Sequence, residues 1–403
     1  MPREQMILLE VSLAAHAELA YPCLQRVFDR FRQERGISVH VTYHGWDVIW
    51  KELVNAAIYR RGADLSETGS TWIANLVAMN ALRPFTTHEI DWLGGPSAFL
   101  PLSWQNVSLV GDPQVWAIPY MADARVIYYW RDMLEQAGLD PRTAFQSPEQ
   151  FEKTCARLQR VVSTPWVSMT DPSSHNIVYQ AASWVWAKGG DFLSPDGRRV
   201  LIGEPAARAG LRSFFSLYRF MPHTGQPIED TRTFDLFMNR QGAALMSGPW
   251  LLVNLKERGL SPDRLAQIGI ALPPGPPFVG GTYLVVWQHT RHPNEVIDLI
   301  RRLTRPQFQA EFCPLGGLLP VSPETWAADV FAADQNYQVL FQAMKNGRSF
   351  LNVPLWGMVE DKLTLAFGQI WTDLIAQPDQ DIDAVLAKHL DTAVDRLDVA
   401  LAQ

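Results

Sequence analysis

An indole offers a broad apolar face and a single hydrogen-bond donor, a combination that stacks on sugar rings or anchors an interface, and this chain carries 15 tryptophans. Trp250 stands out among them. It follows Gly248-Pro249, directly after the small apolar run Ala243 to Met246. A Gly-Pro pair ends regular structure, so the chain must bend there and set a flat aromatic just past the bend. Trp250 is then either a platform at the rim of a cleft or a buried anchor of the turn, while most of the other tryptophans belong to the core. His175 and Asn176 follow Asp171-Pro172 at an expected helix start, where they either bind hydroxyl groups or cap the helix. Gly281 and Thr282 can bring backbone amides close to a ligand, because glycine permits close approach.

Catalytic chemistry finds little footing. His40 and His44 share one face of a strand, without the helical spacing of a metal pair. The three cysteines, Cys23, Cys155 and Cys313, are far apart and show no Cys-x-x-Cys spacing, so neither a disulfide framework nor a redox pair is expected. There is no Gly-x-Ser-x-Gly elbow, phosphate loop or dinucleotide fingerprint after a strand. Acidic residues are plentiful enough for a two-carboxylate glycosidase, yet nothing selects a pair. The expectation is no catalytic residue, no metal and no cofactor. A net charge of -7 lacks the basic footprint of nucleic-acid binders, and no run of about 18 apolar residues spans a bilayer. Glu10 interrupts the apolar Met6 to Leu9, so no signal-peptide core follows Arg3. The chain reads as mature, trimmed or leaderless.

The elements that must position these residues follow a mixed α/β pattern. Ile7 to Leu13 is rich in strand formers, and Leu24, Val27, Phe28 and Phe31 repeat as one face of a helix that Gly36 stops. Ile37, Val39, Val41 and Tyr43 alternate with polar residues, a strand by the period of two, so strand, helix and strand suggest a parallel unit. A second helix follows Gly45-Trp46, a short strand covers 63–66, and a helix follows around Trp72. Two β-prone runs, 116–120 and 126–130, flank a segment that reads as a crossing between domains, with the second domain beginning near residue 124. Ser147-Pro148-Glu149-Gln150 is a helix start, and from there to Gly242 the pattern reads mostly helical. Ile268 to Leu272 is a strand, Pro273-Pro274-Gly275-Pro276-Pro277 a stiff connector, 278–287 β-prone, and 293–303, 306–312 and 356–401 helical. With 403 residues, 47% of them hydrophobic, two domains are expected. Three crossings imply discontinuous domains with a cleft between them, an arrangement that suits hinge closure and ligand capture; two continuous domains with a proline-rich linker are the alternative.

Four segments together resemble bacterial extracellular solute-binding proteins of the sugar type, the maltose-binding-protein-like family. They are Ala117-Ile118-Pro119-Tyr120 with Ile127-Tyr128-Tyr129 and Gly138-Leu139; Gly242-Ala243-Ala244-Leu245-Met246 with Gly248-Pro249-Trp250; Pro277-Phe278-Val279-Gly280-Gly281; and Pro306-Gln307-Phe308-Gln309 through Gly317 to Pro320. They occur in family order and span most of the chain. The resemblance implies an α/β, two-lobed periplasmic binding protein type II fold with an inter-domain ligand cleft and three hinge crossovers. It implies an N-terminal lobe of 1–122 plus 284–320 and a C-terminal lobe of 123–283 plus 321–403.

By position, Trp250 matches a tryptophan that stacks on a sugar ring, and Asp123 an acidic residue that bonds sugar hydroxyls, against the alternative of a solvated loop carboxylate. Glu67, Ser70, Thr71 and Trp72 lie where the family supplies ligand groups, although the motif departs from the maltose protein's pattern. Trp46 occupies a comparable turn, as ligand group or as helix-entry staple, and Trp356 lies where a second aromatic is placed. The implied function is the substrate-binding component of a carbohydrate ABC importer, a non-enzyme that captures a mono- or oligosaccharide by closure of two lobes. Its partners would be that ligand and the permease subunits in the membrane, with no nucleic acid, and the protein itself a monomer. It would work in the periplasm or at the cell surface, or in the cytoplasm if truly leaderless. A carbohydrate-active enzyme and a leaderless ligand-sensing relative are the alternatives.

Overall fold

In the computed structural model, residues 7–222 and 225–401 are described. Among the described residues run ten strands: β1 (Leu8–Ala14), β2 (Ser38–His44), β3 (Leu65–Gly69), β4 (Ile118–Ala124), β5 (Val126–Trp130), β6 (Thr164–Val167), β7 (Gly242–Ser247), β8 (Ile268–Ala271), β9 (Val279–Val286) and β10 (Leu319–Pro320). The chain divides into two compact units. The first comprises Met1–Asp123, Gly280–Asp334 and Asn352–Trp356, and the second Ala124–Val279, Gln335–Leu351 and Gly357–Gln403.

The first unit is built on a six-stranded sheet in the order β10-β4-β9-β3-β1-β2. The strand-helix-strand pattern at the start of the chain folds as its periodicity predicts. The helix Tyr21–Arg35 buries Cys23, Leu24, Phe28 and Phe31, and Gly36 ends it in the left-handed region at φ 69°. β1 and β2 then pair in parallel from Leu8 opposite Ser38, and β3 joins the other side of β1, also parallel. β9 closes antiparallel on β3, with Gly69 opposite Thr282. Against this sheet pack Ile49 and Leu53 from one helix and Ile73 and Leu76 from another, together with Val285 and Trp287. The Trp287 indole is fully buried and its N–H donates to Ser66 Oγ at 2.8 Å, so the largest side chain of this core leaves no donor unmet.

The second unit carries a four-stranded sheet ordered β6-β7-β5-β8, with β6 and β7 parallel and β5 antiparallel to both β7 and β8. The segment 147–242 is mostly helical, as its pattern predicts, but it also carries β6, a strand the pattern does not show. Its four residues are all buried, and a strand covered on both faces shows no alternation to separate it from neighbouring helix. The helix Asn176–Ala187 is buried on nearly every side. Gly210, in the helix Pro205–Phe215, allows the two to meet closely: a Cβ there would lie 2.5 Å from the Trp184 carbonyl oxygen.

Candidate functional site

In open α/β sheets, ligands favour the carboxyl ends of parallel strands, and the first unit places most of the sequence-expected residues along one such edge. β1 ends at Ala14 and leads to His16, β2 leads into Gly45-Trp46, and β3 leads into the 3-10 turn Ser70–Trp72. Trp46 is 45% exposed. Its ring centroid is 5.8 Å from that of half-buried Trp72, which in turn meets Trp50 at 5.4 Å. Thr71 is half-buried in the same turn. At the start of β9, Gly281 adopts φ 150° and sits so close to β4 that a Cβ would come within 2.4 Å of the Met121 carbonyl oxygen. Asp123, half-buried two residues beyond Met121, therefore belongs to the same edge. Its charge, after burial itself, helps to push the Tyr283 hydroxyl far above its usual value. Thr282 is buried, and its Oγ1 has no hydrogen-bond partner among the described residues.

Glu67 has a different environment from these residues. Its carboxylate is fully buried: Ala14 N–H donates to Oε2 at 2.9 Å, and His16 Nε2 lies 2.9 Å from Oε1. The His16 ring meets Trp46 edge-on at 6.4 Å and Phe312 at 6.0 Å. Glu67 thus braces the ring that braces Trp46. Trp356 is likewise inside, at 1% exposure, with its backbone N–H donating to the Val353 carbonyl at 3.0 Å.

The second unit assembles its own group at the carboxyl ends of β6 and β7. Trp250 opens the helix Trp250–Glu257 directly after Gly248-Pro249, and it is half-buried. The indole folds back over the bend, where a Cβ on Gly248 would lie 2.1 Å from the ring. The Tyr128 hydroxyl donates to the Gly248 carbonyl at 2.9 Å and so fixes the bend from beneath. The Arg125 guanidinium, from the residue before β5, rests on the indole face at 4.5 Å and near the rings of Tyr179 and Phe278 at 5.4 and 5.8 Å. Such contacts contribute about 0.5–2 kcal/mol each. Arg125 also donates to Asn176 Oδ1 at 2.8 Å, and Asn176 Nδ2 donates to Asp230 Oδ2 at 3.0 Å. Burial raises the Asp230 carboxyl above its usual range, against the lowering pull of Arg125 and Asn176.

His175 precedes that helix without a side-chain capping bond. Its Nε2 lies 2.8 Å from Asp361 Oδ1 and its Nδ1 3.5 Å from buried Glu360 Oε2, while the Tyr179 hydroxyl donates to Glu360 Oε1 at 2.7 Å. Burial alone would lower the His175 pKa, but the bond to Asp361 and the two carboxylate charges raise it overall.

Sequence reasoning missed Arg125, Trp50, His16, Tyr179 and Glu360. Arg125 left a signal, as a cation between two apolar strand runs, where a buried charge needs partners. The others left none, since a ring in a loop (His16) or a ring or carboxylate on a helix (Trp50, Tyr179, Glu360) reveals its role only through tertiary contacts. Among the described residues, no group of three or more His, Cys, Asp or Glu side chains is arranged to hold a metal ion, and no helix is long and apolar enough to cross a membrane.

A family model described as bacterial extracellular solute-binding protein matches residues 26–358. The chain belongs to that family. A binding protein of Brucella abortus (strain 2308) is 23% identical over 397 residues, covering 94% of this chain and 92% of its own. A Deinococcus radiodurans protein named as an ABC transporter-binding protein is 25% identical over 53% of this chain and 52% of its own length. Among solved structures, an ABC transporter solute-binding protein of Thermotoga lettingae bound with α-D-tagatose superposes with a TM-score of 0.82 at 18% identity, covering 98% of this chain and 100% of that one. The sugar-binding protein MalE of Xanthomonas citri gives 0.81 at 21%, covering 98% and 97%. These likenesses establish the α/β fold of the two-lobed periplasmic binding proteins, and the family makes this chain a bacterial extracellular solute-binding protein.

Proposed function

We propose that this solute-binding protein captures a mono- or oligosaccharide for an ABC importer, without transforming it. The observation that carries the reading is that each unit ends a set of parallel strands in a partly exposed indole beside polar groups. In the first unit these are Trp46 and Trp72 with Asp123, Thr71 and the unpartnered Thr282 hydroxyl. In the second they are Trp250 with Arg125, Asn176 and His175. Indoles cover the apolar faces of a sugar ring, and carboxylates and hydroxyls take its polar rim. Glu67, fully inside, acts in this reading by bracing His16 beside Trp46, and Gly281 by letting the β4 backbone approach the edge, while buried Trp356 belongs to the core.

Capture proceeds by closure of the two lobes, delivery by contact with permease subunits, and the protein acts as a monomer outside the cytoplasm. The relatives support the sugar class: similar proteins are bound with tagatose in one case and maltose in another. A thermal-shift screen over a sugar panel identifies the ligand, because a ligand that binds only the folded form raises its apparent stability. Calorimetry with that sugar should then show Trp250→Ala weakening binding at least about tenfold, roughly 1.4 kcal/mol. Unchanged affinity would remove Trp250 from the site, and turnover of labelled oligosaccharides would overturn the non-enzymatic reading.

A further inference from the structure

Arg125 directly precedes β5, and both its backbone and its side chain are committed. Its backbone N–H donates to the Phe278 carbonyl at 2.8 Å, which roots the side chain beside the rings of Phe278 and Tyr179, themselves stacked 4.5 Å apart at 8°. The guanidinium lies 5.8 and 5.4 Å from those two rings and 4.5 Å from the Trp250 ring. Its polar edge donates to Asn176 Oδ1 at 2.8 Å, while Asn176 Nδ2 donates to Asp230 Oδ2 at 3.0 Å. A carboxamide held at both ends cannot flip without losing both bonds, so it fixes the guanidinium from the side. With only 6% of its surface exposed, Arg125 has little left to offer a ligand.

The indole has few other restraints. Its backbone is fixed, because Trp250 opens the helix Trp250–Glu257 and its carbonyl accepts from Asn254 Nδ2 at 3.0 Å. The ring, however, folds over Gly248, which has no side chain to grip it. Among the described residues no aromatic ring stacks on the indole; what lies against its face is the guanidinium. Trp is the best of the aromatic faces for a cation, and the attraction grows when the pair is desolvated. A flat guanidinium also stacks, as a compact, strongly hydrated ammonium does not. The chemistry of Arg125 thus matches the task of setting the plane of Trp250.

We propose that Arg125 is a positioning residue for sugar capture: it holds the Trp250 indole in the orientation in which the ring serves as a platform, without itself touching the sugar. The inference rests on the sugar reading of Trp250. A platform ordered beforehand is not ordered at the expense of ligand binding, so the loss of Arg125 weakens capture through Trp250 and through no contact of its own.

The test uses the full chain labelled with 5-fluorotryptophan, in which the fluorine resonance missing from Trp250→Phe identifies the indole. Arg125→Met, an unbranched apolar chain among the same rings, should shift and broaden that resonance and leave the other tryptophan resonances in place. Calorimetry with maltose and with D-tagatose as probe sugars should show Arg125→Met binding about threefold to tenfold more weakly. In a Trp250→Ala background the same substitution should cost less than about twofold, because its effect runs through the indole. Arg125→Lys keeps the charge without the planar fork and should behave as Arg125→Met does; if Arg125→Met does not fold, the lysine arm decides. A Trp250 resonance unmoved by these substitutions would overturn the proposal. So would a further loss of about tenfold in the Trp250→Ala background, which would make Arg125 a ligand group. If neither probe sugar binds, or if Trp250→Ala leaves affinity unchanged, the sugar reading alone fails, and the resonance still decides whether Arg125 sets the indole.

Discussion

Glu67→Ala separates a brace from a ligand group. The Glu67 carboxylate has no solvent exposure, and its two oxygens meet the Ala14 N–H and the His16 ring, each at 2.9 Å. Alanine leaves that buried N–H and the ring nitrogen unmet, at about 1–3 kcal/mol apiece, and opens a small cavity. The expected loss of stability is about 3–5 kcal/mol in all. At 2–4 °C per kcal/mol for a unit of this size, the melting temperature should fall by on the order of 10 °C. Glu67→Gln preserves the shape and one acceptor, so it should cost only about 0.5–1.5 kcal/mol. Urea denaturation followed by tryptophan fluorescence measures both, and sugar affinity is measured on the folded variants. Because His16 lies against Trp46, affinity should fall together with stability. A Glu67→Ala protein within about 1 kcal/mol of wild type that nonetheless loses sugar binding would refute the bracing argument and make Glu67 a direct ligand group.

Gly248→Ala should preserve the fold, because the atoms its Cβ meets belong to the Trp250 ring. The indole must swing away, so a shifted emission spectrum and weakened sugar binding are expected, and an unchanged spectrum would contradict the folded-back placement. His175 has a raised pKa, so its stabilising share is fully present below the unfolded value of about 6.5 and lost as pH rises through the folded value. His175→Gln should accordingly remove part of the fall in stability that sets in above about pH 6.5; identical pH profiles for variant and wild type would show that its carboxylate partners contribute nothing. Gly275→Ala, whose Cβ meets backbone rather than a movable side chain, should cost about 1–3 kcal/mol, read as a shift in denaturation midpoint; a neutral outcome would mean that Pro273-Pro274-Gly275-Pro276-Pro277 is not pinned against the helix Asn176–Ala187.

Much of this molecule was legible before any coordinates. The period-two alternation at 37–43, the apolar stripe at 24–31 and its glycine stop are local signals, and local geometry enforces them in β2 and in the helix Tyr21–Arg35. The Gly248-Pro249 bend is equally local, because neither residue tolerates regular structure there, and Trp250 had to emerge beside it. β6 escaped because its burial on both faces is a property of the sheet, leaving no alternation in its four residues. The site shows the same division. The residue types, indoles and scattered carboxylates, could be read from the chain, but Glu67, the Trp46 indole and the Asp123 carboxylate are equivalent turn residues until strand pairing assigns each an environment. Pairing of β1, β2 and β3 turned Glu67 inward onto His16 and left Trp46 outside. Likewise Arg125 became the neighbour of Trp250 only because β5 lies antiparallel beside β7. Sequence by itself determined which elements form and where the chain must bend, since steric preference and apolar period act within a few residues. Which side chains share an edge was decided by tertiary structure alone, since register between strands far apart in sequence is set by the burial of whole faces.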